Sequence, residues 1–179
     1  MEYCTGYVDL FRYIDLQKQF FTEKEAAGII HQTLSAISYC KAQGVDHRDI
    51  KDENILYHPK LKAIKIIDFG SASKLQSGPY KMFRGTDVYI PPEWHLMKQY
   101  TANGGAVWAV GCLTFILLNG DSPFDDPEQI KYNEQITWKN YNVSAAARRF
   151  IRKCLCRDPL ERETLNNLPD SRWLRKVKL

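Results

Sequence analysis

Long apolar runs are missing from this sequence. The most apolar window, residues 106–118, is broken by Gly111 and Thr114. It stays well short of the ~20 residues of a membrane-spanning helix and reads as a buried core helix. No basic stretch followed by an apolar one opens the chain at Met1-Glu2-Tyr3-Cys4, so no secretory signal is expected. The five cysteines, Cys4, Cys40, Cys112, Cys154 and Cys156, form no C-x-x-C pair, and four fall in helix-like segments. A reduced, intracellular protein is expected from that, placed in the cytoplasm with the nucleus as an alternative. A large excess of charge of one sign is missing too: 25 Lys+Arg face 21 Asp+Glu, and the net +4 is spread out apart from a basic end at residues 172–178. That is too mild for a nucleic-acid partner. There is no repeat, linker or low-complexity tract. The 44% hydrophobic, 26% charged and 12% aromatic content is that of one globular domain with a substantial core.

Patterning then divides the chain into a mainly α protein with a little β. Residues 9–15 read as a short helix capped by Asp9, and Thr22-Glu23-Lys24-Glu25 has the form of a capping box. A long helix follows, with Ile29, Ile30, Thr33, Leu34 and Ile37 at helical spacing and Gly44 as its stop. Two β-like runs, 55–57 and 63–67, flank a turn containing Pro59 and predict a hairpin. After Gly70 the residues Ser71, Ser73, Ser77, Gly78, Pro79 and Gly85 mark a loop. Helices dominate the rest: Asp126-Pro127 starts one, and Ser144 caps another over 145–156 before Asp158-Pro159.

The chemistry is concentrated in His47-Arg48-Asp49-Ile50-Lys51-Asp52-Glu53-Asn54, an H-R-D-x-K-x-x-N string, and in Asp68-Phe69-Gly70 fourteen residues after Asn54. Together, in this order, they match the catalytic-loop and D-F-G signatures of protein kinases. Phosphoryl transfer needs hard oxygen ligands to hold metal ions beside anionic phosphates, and Asn54 and Asp68 would supply them. Asp49 would accept or orient the proton of the attacking hydroxyl, and Lys51 would neutralise charge on the transferred group. His47 and Phe69 are the expected apolar props behind the site. Leu56 lies where the family packs a side chain against adenine.

Further segments extend the resemblance. Gly85-Thr86 and Pro91-Pro92-Glu93 resemble the end of an activation segment, and Arg162 falls where the family pairs an Arg with that Glu. With D-L-F, I-D-F-G-S, P-P-E-W, A-V-W and G-D-S-P-F, the chain resembles the Pim kinases of the calcium/calmodulin-dependent group, with PAS-domain kinases second. The resemblance covers nearly the whole chain, from a hinge at Met1-Glu2 to Trp173. It implies one kinase domain over 1–179, formed by the hinge and C-terminal lobe, a helical bundle with short β-hairpins. The catalytic loop would be 47–54 and the activation segment 68–93. The same resemblance implies ATP and Mg²⁺ as cofactors, Glu2 among the nucleotide contacts, and Arg48 among the structural residues. Lys51 and Thr86 favour serine/threonine over tyrosine. Pim-like preference for basic substrates implies Asp9, Glu53 and Thr86 as substrate contacts, although Arg12 stands where the family tends to have another acid. A monomer that acts on proteins, and on neither nucleic acid nor membrane, is expected. Ser71, Ser73, Ser77 and Tyr80 are candidate phosphosites on a surface loop.

Departures set the expectations apart from those for a whole kinase. No Gly-rich loop, phosphate-gripping strand Lys or helix Glu precedes the catalytic loop. Lys62-Ala63-Ile64-Lys65 has the form of the lysine strand but follows the loop, and is rejected as the ATP lysine. The N-terminal lobe is therefore expected to be absent, with negligible transfer by this piece alone and uncovered apolar surface at the cleft. Asp46 replaces an aliphatic residue before His47 and must find a partner or water. Ala106 stands where most kinases have an Asp. The competing reading is a non-catalytic, kinase-derived binding module.

Overall fold

The computed structural model describes residues 4–132 and 136–176. Local signals decide the first half. Asp9 accepts a hydrogen bond from the Arg12 amide at 2.7 Å and starts α1 (Leu10–Gln17), which ends on Lys18 in a left-handed conformation, φ 51°. Thr22 and Glu25 close their capping box with two backbone–side-chain bonds of 3.3 Å, and α2 (Glu23–Ala42) runs from it. The buried face of α2 carries Ala26, Ala27, Ile29, Ile30, Thr33, Leu34 and Ile37, the helical spacing seen in the sequence. Gly44 turns the chain with φ 73°.

Two small antiparallel sheets follow. β1 (Val8–Asp9), β3 (Ile55–His58) and β4 (Ala63–Ile66) lie in the order β1-β3-β4, with Ile55 opposite Ile66 and His58 opposite Ala63. β2 (Val45–Asp46) pairs with β5 (Ser73–Lys74), so Asp46 faces Ser73 across the ladder. The first sheet thus holds the chain before and after the catalytic loop, and the second ties the entry of that loop to the segment after Asp68.

The second half is α3 (Pro92–Met97), α4 (Ala102–Asn119), α5 (Pro127–Tyr132), α6 (Ala145–Cys154) and α7 (Arg172–Lys176). Ser144 caps α6 as its sequence position predicts, but Leu155 closes the helix two residues earlier than expected. By length and composition α4 could cross a membrane, yet 83% of it is buried within the fold, the place of a core helix. It packs against α2 and α6. Trp108 lies flat against Phe124, ring centroids 5.5 Å apart, and Phe115 meets Trp138 edge-on at 4.8 Å. Glu23, in the first turn of α2, accepts hydrogen bonds from the Ser144 amide (2.6 Å), Ser144 Oγ (2.8 Å) and Trp173 Nε1 (3.0 Å). None of the five cysteines is in a disulfide, and burial pushes the thiols of Cys112 and Cys154 well up.

Gly111 sets how closely α4 and α6 approach. A Cβ there would lie 2.7 Å from Cys154 Cβ and 2.8 Å from Leu155 Cδ2. Gly111→Ala is therefore expected to lower unfolding stability by about 1–3 kcal/mol through overpacking. Urea denaturation checks this: a midpoint shift at constant slope is the expected result.

Candidate active site

The catalytic loop leaves β2 through Arg48, a non-glycine residue at φ 65°. Such a conformation costs of order 1–3 kcal/mol and persists where the surroundings enforce it. Here the guanidinium is held on several sides. It donates to Tyr100 Oη from Nε (3.1 Å) and Nη2 (3.0 Å), to Ser73 Oγ (3.5 Å) and to the Met82 carbonyl, and it lies 4.2 Å from the Tyr80 ring centroid.

Asp49 follows, and its carboxylate is gripped at both oxygens. Thr86 Oγ1 donates to Oδ1 at 3.1 Å, and Asn54 Nδ2 donates to Oδ2 at 3.0 Å and to the Asp49 carbonyl at 2.9 Å. Lys51 Nζ donates to Thr86 Oγ1 at 2.7 Å and lies 3.6 Å from Asp49 Oδ2 and 3.5 Å from Glu53 Oε2. The activation segment reaches this close because of Gly85, at φ 129°, where a Cβ would meet the Arg48 carbonyl at 2.8 Å. Loop and activation segment therefore meet on a carboxylate, a hydroxyl and an ammonium.

His47 is buried. Its Nδ1 accepts from the Asp49 amide (3.3 Å) while Nε2 lies 3.1 Å from the Ile67 carbonyl, which assigns the proton to Nε2. Burial lowers its pKa most, keeping the ring neutral. Phe69 touches the His47 ring at 4.7 Å between centroids but remains 49% exposed. Its ring meets the imidazole edge-on, and much of the rest of it faces solvent. Asp68 is exposed and accepts from the Gly70 amide at 3.0 Å. Because Asn54 donates through Nδ2, its Oδ1 and the Asp68 carboxylate are hard oxygens of the kind Mg²⁺ accepts alongside water and phosphate. Among the described residues there is no group of three or more His, Cys, Asp or Glu that could hold a metal by themselves.

Glu93 and Arg162 form a buried, bidentate ion pair at 2.8 and 2.7 Å. Arg162 also donates to the carbonyls of Gly104 (3.0 Å) and Cys156 (2.7 Å). Leu56 is half-buried on the central strand, opposite Asp9 and Lys65. Asp9 spends one oxygen capping α1, Glu53 is exposed, and Glu2 lies outside the described residues. Lys62 pairs with Glu25 at 2.6 Å, and Lys65 lies over the Tyr7 ring at 5.1 Å. Tyr80 is corrected from a surface-loop hydroxyl to a buried residue, 2% exposed, because it packs on Arg48 and Tyr100.

Sequence reasoning missed an acid-lined groove of about 310 Å³ beside Thr86, to which Asp15, Asp52, Glu53 and Asp121 contribute and no Lys or Arg does. Asp121 within G-D-S-P-F was its visible trace. Asp52 is buried, accepts from Tyr89 Oη at 2.8 Å, and has its pKa raised by burial against the opposing pull of that bond.

A model of the protein kinase domain matches residues 1–174. The chain belongs to the protein kinase domain family. Among its relatives are serine/threonine-protein kinase pim-2 of Danio rerio (36% identity, 93% of this chain and 53% of that protein). Serine/threonine-protein kinase PSK2 of Saccharomyces cerevisiae shows 33% identity over 96% of this chain and 15% of that protein. Serine/threonine-protein kinase prk-2 of Caenorhabditis elegans shows 34% over 96% of this chain and 39% of that protein. The chain spans about half the length, or less, of these curated relatives. These relatives are each named as serine/threonine-protein kinases, and ATP with Mg²⁺ is what the protein kinase family generally uses.

Two outcomes follow for this kinase domain. Arg162→Met strands Glu93 in the core and is expected to cost about 3–5 kcal/mol in urea unfolding. For Asp52 the folded pKa lies above the unfolded one, so its contribution to stability is full below the ordinary carboxylate range. It is lost as pH rises through the raised value. Asp52→Asn should flatten that part of the stability-against-pH curve, measured by urea unfolding at successive pH values.

Proposed function

We propose that this chain is the catalytic C-terminal lobe of a Pim-like serine/threonine protein kinase that phosphorylates proteins in the cytoplasm, with the nucleus as an alternative. The observation that carries this is the Asp49 carboxylate, held by Thr86 and Asn54 with Lys51 beside it. A substrate hydroxyl arriving at Asp49 finds an acceptor already aimed by two donors, one from each segment of the cleft. The Lys51 ammonium, 3.6 Å from that acceptor, stabilises negative charge developing on the transferred group. Asn54 Oδ1 and Asp68 would hold Mg²⁺. Bound Mg-ATP supplies the phosphoryl group and a cation that offsets the charge on its oxygens.

The acid-lined groove supports a preference for substrates with basic residues near the target hydroxyl. Asp15 and Glu53 are exposed there, while Asp121 is shared with Lys139 at 2.6 Å. Ile67 and Phe69, 37% and 49% exposed, form an apolar rim at the D-F-G turn that suits the docking of an upper lobe. One observation favours the second reading, a non-catalytic binding module: both lysines of the K-A-I-K strand are engaged with Glu25 and Tyr7. In the proposed kinase the phosphate-gripping lysine therefore comes from outside this chain. The reading includes a monomer that engages neither nucleic acid nor membrane.

The test is phosphoryl transfer from Mg-ATP to serine peptides with and without Arg or Lys before the target, by the full-length gene product and by the 179-residue chain. Transfer to the basic peptide by the full-length protein is expected, with Asp49→Asn lowering kcat by about 10²–10⁴ and the short chain negligible. Transfer that survives Asp49→Asn unchanged, or none by the full-length protein, overturns the proposal.

A further inference from the structure

The basic end of the chain has no part in the cleft. α7 brings Arg172 and Lys176 to one wall of a groove of about 600 Å³, and α6 brings Arg149 and Lys153 to the other. Residues four apart share a helix face, so each helix turns a pair of cations toward the same space. This groove is about twice the volume of the acid-lined one beside Thr86 and shares no residue with it. Ala145 and Ala146, both partly or fully exposed, give its α6 wall an apolar stretch.

The floor is preformed. Phe150 and Trp173, each 2% exposed, meet there with ring centroids 5.0 Å apart, and Leu168 is buried with them. Glu23 of α2 holds Trp173 Nε1 from behind at 3.0 Å. A ligand therefore finds its site without first reorganising it. The charges above that floor are unevenly spent. Glu163 is committed to Lys153 at 2.6 Å and to the Asn167 side-chain amide at 2.9 Å. Arg149, Arg172 and Lys176 are exposed, and none of them is in an ion pair among the described residues. Asp170 is the carboxylate of the groove that remains to oppose these three cations.

We propose that this groove docks an acidic segment of a partner protein, whose carboxylates meet Arg149, Arg172 and Lys176 while its apolar side chains lie along Ala145 and Ala146. Charge complementarity carries the choice of occupant. Two observations favour a peptide over a nucleic acid. Phe150 and Trp173 turn their rings into the fold and offer almost no face on which a base could stack. Asp170 places an acceptor on the rim that suits a peptide N–H and repels a chain of phosphates. The two grooves of the molecule thus differ in sign, and a basic segment suited to the one beside Thr86 is repelled by this one. The proposal goes beyond the kinase reading and stands on binding alone.

Fluorescence anisotropy of a labelled peptide alternating Glu and Leu, titrated with the intact 179-residue chain, tests this without phosphoryl transfer, so an inactive chain does not affect the outcome. Saturable binding that weakens with added salt is expected, and a peptide alternating Gln and Leu should bind about tenfold more weakly or worse. The double variant Arg149→Glu/Arg172→Glu should lose about tenfold or more in affinity for the acidic peptide, since each reversal exchanges an attraction for a repulsion. Lys176→Glu, on α7 alone, should lose about threefold and gives a separate reading if the double variant proves less stable in urea. Lys60→Glu, in the exposed turn between β3 and β4, should change the affinity by less than about twofold. Absence of saturable binding, equal affinity for the Gln–Leu peptide, or a loss in Lys60→Glu as large as that in the groove variants would overturn the proposal. So would displacement of the peptide by a lower concentration of oligothymidylate than of unlabelled peptide, which would assign the groove to nucleic acid.

Discussion

The Glu93–Arg162 pair is the constraint on which the active-site geometry hangs. Both side chains are almost wholly buried, and a charge in that position is tolerated only with its partner and its other donors matched. Arg162 meets that condition with carbonyls from α4 and from the turn after α6, while its guanidinium sits 5.1 Å from the Trp108 ring. The end of the activation segment is thereby fastened to the most buried helix of the molecule. Thr86, seven residues earlier, inherits that fixed end, and with it the hydroxyl that bridges Lys51 and Asp49.

From that anchor the structure alternates between apolar support and polar aiming. α4 brings bulk and no formal charge: Trp108, Leu113, Phe115 and Leu117 fill the core, and small residues leave room under the catalytic loop. The polar groups arrive from segments that border it, namely Lys41, Asp46, Arg48, Tyr80 and Tyr100. Low local dielectric strengthens each contact in such a network and raises the cost of each one left unmade. The left-handed Arg48 is the point where the two halves meet, its backbone held in an unusual conformation by the contacts of its side chain.

Much of this could be read before the structure, for physical reasons that differ by element. α2 was legible because its cap, its period and its stop are all local. The hairpin of β3 and β4 was legible from two apolar runs around a proline turn. β1, β2 and β5 are two residues long, too short for any period, and exist only through their tertiary partners. The catalytic-loop residues are contiguous, so their proximity followed from spacing, whereas Glu93 and Arg162, 69 residues apart, came only through resemblance. Tyr80 sat in loop-like composition, and its burial depends on a bridge to Tyr100 that composition does not record. The acidic groove escaped for the same reason: its carboxylates come from α1, the catalytic loop and the turn after α4.

Glu23 carries an implication for how the molecule is made. Its three donors belong to Ser144 and Trp173, 121 and 150 positions further along. During synthesis, then, the first turn of α2 emerges long before anything that will bind its carboxylate. Contacts of such separation are closed late, because chain entropy must be spent before they contribute. Synthesis must therefore pass Trp173 before the first long helix is fastened at its head, whereas α4, which packs against α2, is made earlier.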